Sequence, residues 1–280
     1  MTNIAIIVVT YNPDLKNLLD LIIELHNFHI YVSDNGSKND KKIQEIVHNY
    51  SNVTLINSQE NRGIAVAQNK AINRACDDKA KYIFFLDQDS FITEETLNLL
   101  KNDYLSIKKI NNDLGIISAV PDDEIRSDHD NSRIEYVNEV ISSGMFLSTD
   151  SIINVGNMLE NLFIDMVDYE WCWRFKHHGL RIAKDFNCRF KHQIGNNKKI
   201  LGKIVISPFR LYYVFRNTIY LIKTNKTLDK HCSTLLKYRL FKQFIFSVFF
   251  CPQKIKRFRY IVWGIKDANN RKMGKLNYDK

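Results

Sequence analysis

Residues 4–37 read IAIIVVTYNPDLKNLLDLIIELHNFHIYVSDNGS, and this stretch decides the fold. Ile4–Val9 is a continuous apolar run, the pattern of a strand buried on both faces. Asp14 can cap the stretch that follows, in which Leu15, Leu18, Leu19, Ile22 and Ile23 recur at helical spacing. Ile30–Ser33 is a second apolar strand, stopped by the turn signal Asp34-Asn35-Gly36-Ser37. The unit is strand, helix, strand. Working outward, the same alternation predicts a helix around Lys41–Tyr50, a strand at Val53–Asn57 and a helix over Ile64–Cys76. A strand at Tyr82–Leu86, a Thr93-capped helix Glu94–Ile110 and a strand Gly115–Val120 come next. Alternation at this period predicts a doubly wound α/β sheet.

Composition agrees with a packed enzyme-sized chain. The 280 residues are 45% hydrophobic and 25% charged, which excludes fibrous and disordered classes. Five cysteines, odd in number and without a CxxC pair, argue against a disulfide framework or a zinc ribbon and point to a reducing compartment. The N-terminus lacks a basic leader, so Ile4–Val9 reads as a strand and not as a signal peptide. No run reaches the roughly 18 apolar residues that span a bilayer.

The net charge of +9 is unevenly placed. Residues 1–200 carry 22 Lys+Arg against 28 Asp+Glu, whereas residues 201–280 carry 18 against 3. A mildly acidic body thus bears a tail segment of balance +15. Such a segment suits an anionic lipid surface, a phosphorylated substrate or nucleic acid.

Ligands of open α/β sheets bind beyond the carboxyl ends of the strands. Those positions read Thr10-Tyr11-Asn12, Asp34-Asn35-Gly36-Ser37, Glu60-Asn61-Arg62-Gly63 and Asp87-Gln88-Asp89-Ser90. None is a GxGxxG or a GxxxxGK[ST], which excludes the usual dinucleotide and P-loop sites. An aromatic ring, amides and paired acids suit a nucleotide held by side chains, with its diphosphate neutralised by Mg²⁺ or Mn²⁺. Among 21 aspartates a DxD triplet arises about once or twice by chance, and Asp128–Asp130 is a second example in a polar stretch. Position separates the two, because Asp87 and Asp89 directly follow an apolar strand.

Past residue 133 the pattern changes. Arg133–Ile141 predicts a longer alternating strand, followed by the small-residue segment Ser142–Met145 and a short strand Arg181–Lys184. FIDMVDYEWCWR (Phe163–Arg174) sets three acids among aromatics at the start of a helix running to about His178. Acids at a helix N-terminus can simply answer its dipole. Asp168 and Glu170 beside aromatics could instead be desolvated and tuned as a general base, or Glu170 could orient the site through hydrogen bonds. His192 follows that last strand and a short loop, in HQIG, where it could serve as a ligand or simply as a structural histidine.

The ordered series VVTYNP, VSDNGS, ENRGIAVAQN, FFLDQDS, FIDMVDYEWCWR and HQIG, across roughly residues 4–195, resembles the family 2 glycosyltransferases of GT-A fold. DQDS, VDYEWCWR and SPFRLYYVFRN (Ser207–Asn217) resemble its bacterial rhamnosyltransferase branch. The resemblance implies inverting transfer of a sugar from a nucleotide-diphosphate donor. Donor-nucleotide contacts are expected at Thr10, Tyr11, Asn12, Asp34, Asn61, Gly63 and Gln88, and metal or diphosphate binding at Asp87, Asp89 and His192. Asp168 matches the aspartate that acts as base. Val167 departs from the acid usually before it, and Glu170 replaces a following aspartate. Glu170, Trp171, Arg210 and Arg216 are candidate contacts to the acceptor or diphosphate.

The expected organisation is a GT-A catalytic domain over 1–205 and a basic, mainly helical region over 206–280. That region mixes aromatics with cations, notably at Lys237–Cys251 and Lys254–Tyr260, as interfacial helices do. The expectation is an enzyme peripheral on the cytoplasmic face of the cell membrane, moving L-rhamnose from dTDP-rhamnose to a lipid-linked saccharide. Alternatives are a UDP-hexose donor or a non-catalytic membrane-associated scaffold. Core packing or a homodimer contact could account for the apolar residues alone. No RNA- or DNA-binding motif is present.

Overall fold

The computed structural model describes residues 3–125, 133–192 and 199–277. Its first half alternates as the sequence predicts: β1 (Ile4–Thr10), α1 (Leu15–Glu24), β2 (His29–Asp34), α2 (Asp40–Val47), β3 (Val53–Asn57), α3 (Ile64–Asp77) and β4 (Tyr82–Asp87). After β5 (Ser90–Phe91) come α4 (Glu94–Ile110), β6 (Leu114–Pro121), β7 (Ile134–Val137), β8 (Met145–Ser148) and α5 (Thr149–Val155). A 3₁₀ turn (Glu160–Leu162), α6 (Val167–His177), β9 (Arg181–His192) and the β10–β11 hairpin (Lys199–Ile200, Lys203–Ile204) follow. The chain ends in α7 (Pro208–Lys223), α8 (Lys230–Ile245), a π turn (Phe246–Phe250) and α9 (Lys254–Asn269).

The main sheet has the order β3-β2-β1-β4-β8-β6-β9-β5, with β7 also on β9. The strands β1 to β4 are mutually parallel, while β8 runs antiparallel to both β4 and β6. The sheet is therefore mixed. Its central strands β1 and β4 lack polar alternation because helices cover both faces. Along β1, Ile4, Ile6 and Val8 join one apolar cluster with α1, α2 and α4, while Ala5 and Ile7 join another with α3, α5 and α6. Leu221 of α7 and Leu236 of α8 belong to that second cluster, so the C-terminal helices close over the same face.

Local signals explain the element starts. Asp14 accepts from the backbone amides of Lys16 and Asn17, and Thr93 from that of Thr96. Each such cap contributes about 1 kcal/mol. Ser207 accepts from the Arg210 amide, with Pro208 in the first turn of α7, where its missing N–H costs nothing.

Four expectations are corrected. The buried face of α1 is Leu18, Leu21 and Ile22, and Ile23 is half exposed. The helix after β2 stops at Val47, short of Tyr50. The long strand expected over Arg133–Ile141 is only Ile134–Val137, because the chain then turns onto α6. There Glu139 accepts from Trp173 Nε1 and the Val140 carbonyl from Cys172 Sγ. The strand expected to stop at Lys184 runs on to His192. Its pairing with β6 jumps from Ala119–Asp185 to Val120–Arg189, so residues 186–188 bulge out and the period-2 signal is lost. The five cysteines are free, and no described helix is long and apolar enough to cross a membrane.

Candidate functional site

The carboxyl ends of β1, β2 and β4, with the turn before α3, bring the predicted donor residues together. Thr10 and Asp34, adjacent in register, are fully buried. The Thr10 hydroxyl donates to Asp34 Oδ1 at 2.8 Å, and the Ser37 amide to Oδ2 at 2.8 Å. This lock holds the β2 turn. Asn12, at a positive φ of 50°, donates its amide to Ser37 Oγ and accepts from the Lys38 amide through Oδ1. Tyr11 is left 45% exposed, and its amide donates to Gln88 Oε1 at 2.7 Å. The β1 and β4 turns are thereby tied together, with an aromatic ring free to stack.

Asn61 Oδ1 accepts from Asn35 Nδ2 and from the Gly63 amide. Gly63 has φ +98°, and a Cβ there would lie 2.5 Å from the Phe163 carbonyl oxygen. Only glycine fits that approach. Asn35, which the sequence reading did not single out, also accepts from the Arg62 amide and so joins the two turns.

Ligand atoms of Asp87, Asp89 and His192 all lie within 4.8 Å of one another. His192 arrives there because β9 pairs with β5, setting Ser90 opposite His192. The two carboxylates are the oxygen ligands that hard cations such as Mn²⁺ or Mg²⁺ prefer, and the imidazole could supply a further donor. Burial pushes the Asp87 carboxyl up to about 6, and the Asp89 charge adds to it, against the neighbouring His192. Serines missed in the sequence brace the cluster. The Asp87 amide donates to Ser143 Oγ, Ser143 Oγ to Ser90 Oγ, and Ser90 Oγ bonds His192 Nδ1 at 2.8 Å. Ser90 was visible only as the last residue of DQDS, and Ser143 only within a run of small residues, Ser142-Ser143-Gly144.

Asp168 sits in the first turn of α6. Burial raises its carboxyl to about 6, backbone amides of Tyr169, Asp168 and Ser142 pull the other way, and the Asp87 charge raises it further. A carboxyl so raised can exchange a proton near neutrality, and it lies within electrostatic reach of Asp87. Arg210, half exposed, pairs with Asp165. The Asp165 hydrogen bond is the main influence raising its guanidinium, and Asp168 contributes too.

Three predicted contacts turn out to be internal. Glu170 is fully buried and pairs with Arg174 at 2.7 Å, with burial raising its carboxyl. Trp171 is fully buried, donates to the Gly156 carbonyl and packs edge-on against Phe85. Arg216 is fully buried and donates to the Gly274 and Leu162 carbonyls. In this structure the three side chains are engaged by protein groups and present no surface to the site. Asp128–Asp130 and Gln193–Gly195 lie outside the described residues.

Known proteins carry the same architecture. Residues 5–139 match the family model of glycosyl transferase family 2. A dTDP-rhamnosyl transferase, RfbF of Shigella flexneri, is 33% identical over 247 residues, covering 80% of this chain and 81% of that protein. The fold is similar to S. aureus TarS residues 1–349 solved with UDP-GlcNAc (TM-score 0.59, 17% identity), over 96% of this chain and 81% of that one. It is also similar to GalNAc-T7 solved with UDP, GalNAc and Mn²⁺ (TM-score 0.56, 11% identity), over 94% and 57%. With the family model on the nucleotide-binding half and a relative this close along four-fifths of the chain, the protein is a glycosyltransferase of family 2 with a GT-A fold.

Proposed function

We propose that this glycosyltransferase moves L-rhamnose from dTDP-β-L-rhamnose to a lipid-linked oligosaccharide in bacterial surface-polysaccharide synthesis, by a single inverting displacement. The observation that carries the chemistry is Asp168, raised to about 6 beside the Asp87–Asp89–His192 cluster. The donor sugar follows the similarity to the Shigella dTDP-rhamnosyl transferase.

Tyr11, Asn12, Asp34, Asn61, Gly63 and Gln88 frame the nucleotide, with the exposed Tyr11 ring as a stacking face. Asp168 takes the proton of the acceptor hydroxyl as that oxygen bonds the anomeric carbon and the bond to the diphosphate breaks. One carboxylate then both removes a proton and stabilises an oxocarbenium-like transition state. A divalent cation held by Asp87, Asp89 and His192 would neutralise the charge left on the diphosphate. Arg210 lies where a second anionic group, such as the acceptor's diphosphate, could be held.

The lipid-linked acceptor accounts for the basic C-terminal region. Phe241, Phe249, Phe250, Ile255 and Phe258 are about half or more exposed, among Lys242, Lys254, Lys256 and Arg259. Exposed aromatics flanked by cations favour the surface of an anionic membrane. The reading places the enzyme peripherally on the cytoplasmic face of the cell membrane.

A panel of dTDP- and UDP-sugars with Mn²⁺, read by donor hydrolysis and by protection against heat, tests the donor. dTDP-rhamnose should give the largest shift and be turned over. Turnover of a UDP-hexose alone would reassign the donor, and no turnover of any sugar with intact binding would favour a scaffold.

A further inference from the structure

The segment Ser207–Asn217 stood out in the sequence, yet its Arg216 and Asn217 are fully buried in α7 and touch no open surface. What they touch is the loop leading into α6. Asn217 Nδ2 donates to the carbonyls of Leu162, Ile164 and Asp165, at 2.9, 2.8 and 2.8 Å. Arg216 Nε donates to Asn217 Oδ1 at 2.9 Å, which fixes the amide with its hydrogens toward the loop. Arg216 Nη2 adds a bond to Leu162 O at 2.9 Å. The remaining carbonyl of the loop, Phe163 O, accepts from the Ile64 amide at 2.8 Å on the donor side. Every loop carbonyl from 162 to 165 is therefore accounted for, three of them by one side chain.

The loop needs this. Phe163, Asp165 and Met166 all hold positive φ, at 67°, 63° and 67°, and none is glycine. Such backbone persists only where its surroundings over-determine it. Asp168 follows two residues after Met166, and no side chain caps the start of α6. The loop also bears Asp165, the partner of Arg210. It is wedged between the Gly63 turn and α7, with Phe163 stacked on Tyr213.

We infer that Asn217, oriented by Arg216, is a positioning residue for the transfer reaction: its amide clasps the left-handed loop 162–166 and so sets Asp168 against the donor. This rests on the reading of Asp168 as base. It assigns to the C-terminal region a part in the chemistry, separate from any membrane contact.

The test compares Asn217→Ala, Asn217→Gln, Asp168→Asn and Arg257→Gln in the full chain. Arg257 is a buried C-terminal anchor whose hydrogen bonds go to Pro252 O and Ile206 O and not to the loop, so Arg257→Gln serves as the control for fold loss. Asn217→Ala should lower kcat about ten- to a hundred-fold per folded molecule, with donor KM and dTDP–Mn²⁺ binding within about three-fold. Asn217→Gln, which keeps a donor amide, should recover part of kcat, and it replaces the alanine variant if that does not fold. Hydrogen exchange of the peptide spanning 162–169 should quicken in Asn217→Ala but not in Arg257→Gln. A kcat within two-fold of wild type, or unchanged exchange in that peptide, would overturn the inference. Undiminished transfer by Asp168→Asn would instead remove the base reading, and exchange alone would then decide whether the clasp exists.

Discussion

His192 Nδ1 lies 3.7 Å from Asp89 Oδ1, because the last residue of β9 is paired with the first residue of β5. That pairing turns a two-carboxylate turn into a three-residue cluster. Nucleotide-dependent Mn²⁺ binding is therefore expected to depend on the end of β9 as well as on the DQD turn.

Titration calorimetry of Mn²⁺ in the presence of dTDP measures this. Asp89→Ala and His192→Ala should each weaken the metal strongly. Ser90→Ala, which frees the His192 ring, should weaken it about ten-fold. Unchanged Mn²⁺ affinity in both ligand variants would place the cation elsewhere.

Asp168 gives a stability prediction with a definite sign. Burial pushes its folded carboxyl up to about 6 from the ordinary carboxylate value of 3.8, so the folded state binds the proton more tightly than the unfolded one. The corresponding stabilisation is fully present below pH ~4 and is lost as the pH rises through about 6. Asp168→Asn, which removes the buried charge, should therefore raise the melting temperature at pH 8 relative to wild type by a few degrees. The gain should shrink toward pH 4. An equal or lower melting temperature at pH 8 would show that the carboxylate is not destabilising where it sits.

The basic region separates a buried anchor from exposed cations. Arg257 is buried, so its charge belongs to the fold. Neutralising Lys254, Lys256 and Arg259 together should release the enzyme from anionic vesicles, at about 1 kcal/mol per cation or less in salt. Arg257→Gln should lower the melting temperature instead. Vesicle sedimentation indifferent to salt and to the triple variant would favour packing or a dimer contact for this face.

Much of this was legible in the sequence because both faces of the parallel strands are covered, which leaves unbroken runs such as IAIIVV and YIFFL. The ends of those runs brought Tyr11, Asp34, Asn61 and Asp87 forward as candidates, and the family resemblance supplied their expected roles. The second half was less readable. The bulge at residues 186–188 hid the strand that delivers His192. Ser90 and Ser143 act through one another, and no spacing rule links residues so far apart. The aromatic run around Trp171 fits a lining of the site and the core equally well, and only its packing against Phe85 decides for the core. Arg216 and Asn217 were visible as a motif, but their partners are backbone carbonyls, which a sequence cannot display.

The central claim is that Asp168 is the base of sugar transfer, and Asp168→Asn tests it most directly. The substitution keeps the size of the side chain and removes its basicity. With dTDP-rhamnose, Mn²⁺ and a lipid-linked acceptor, transfer should fall by about 10²–10⁴, while dTDP–Mn²⁺ binding stays close to wild type. Transfer within a few-fold of wild type would contradict the account.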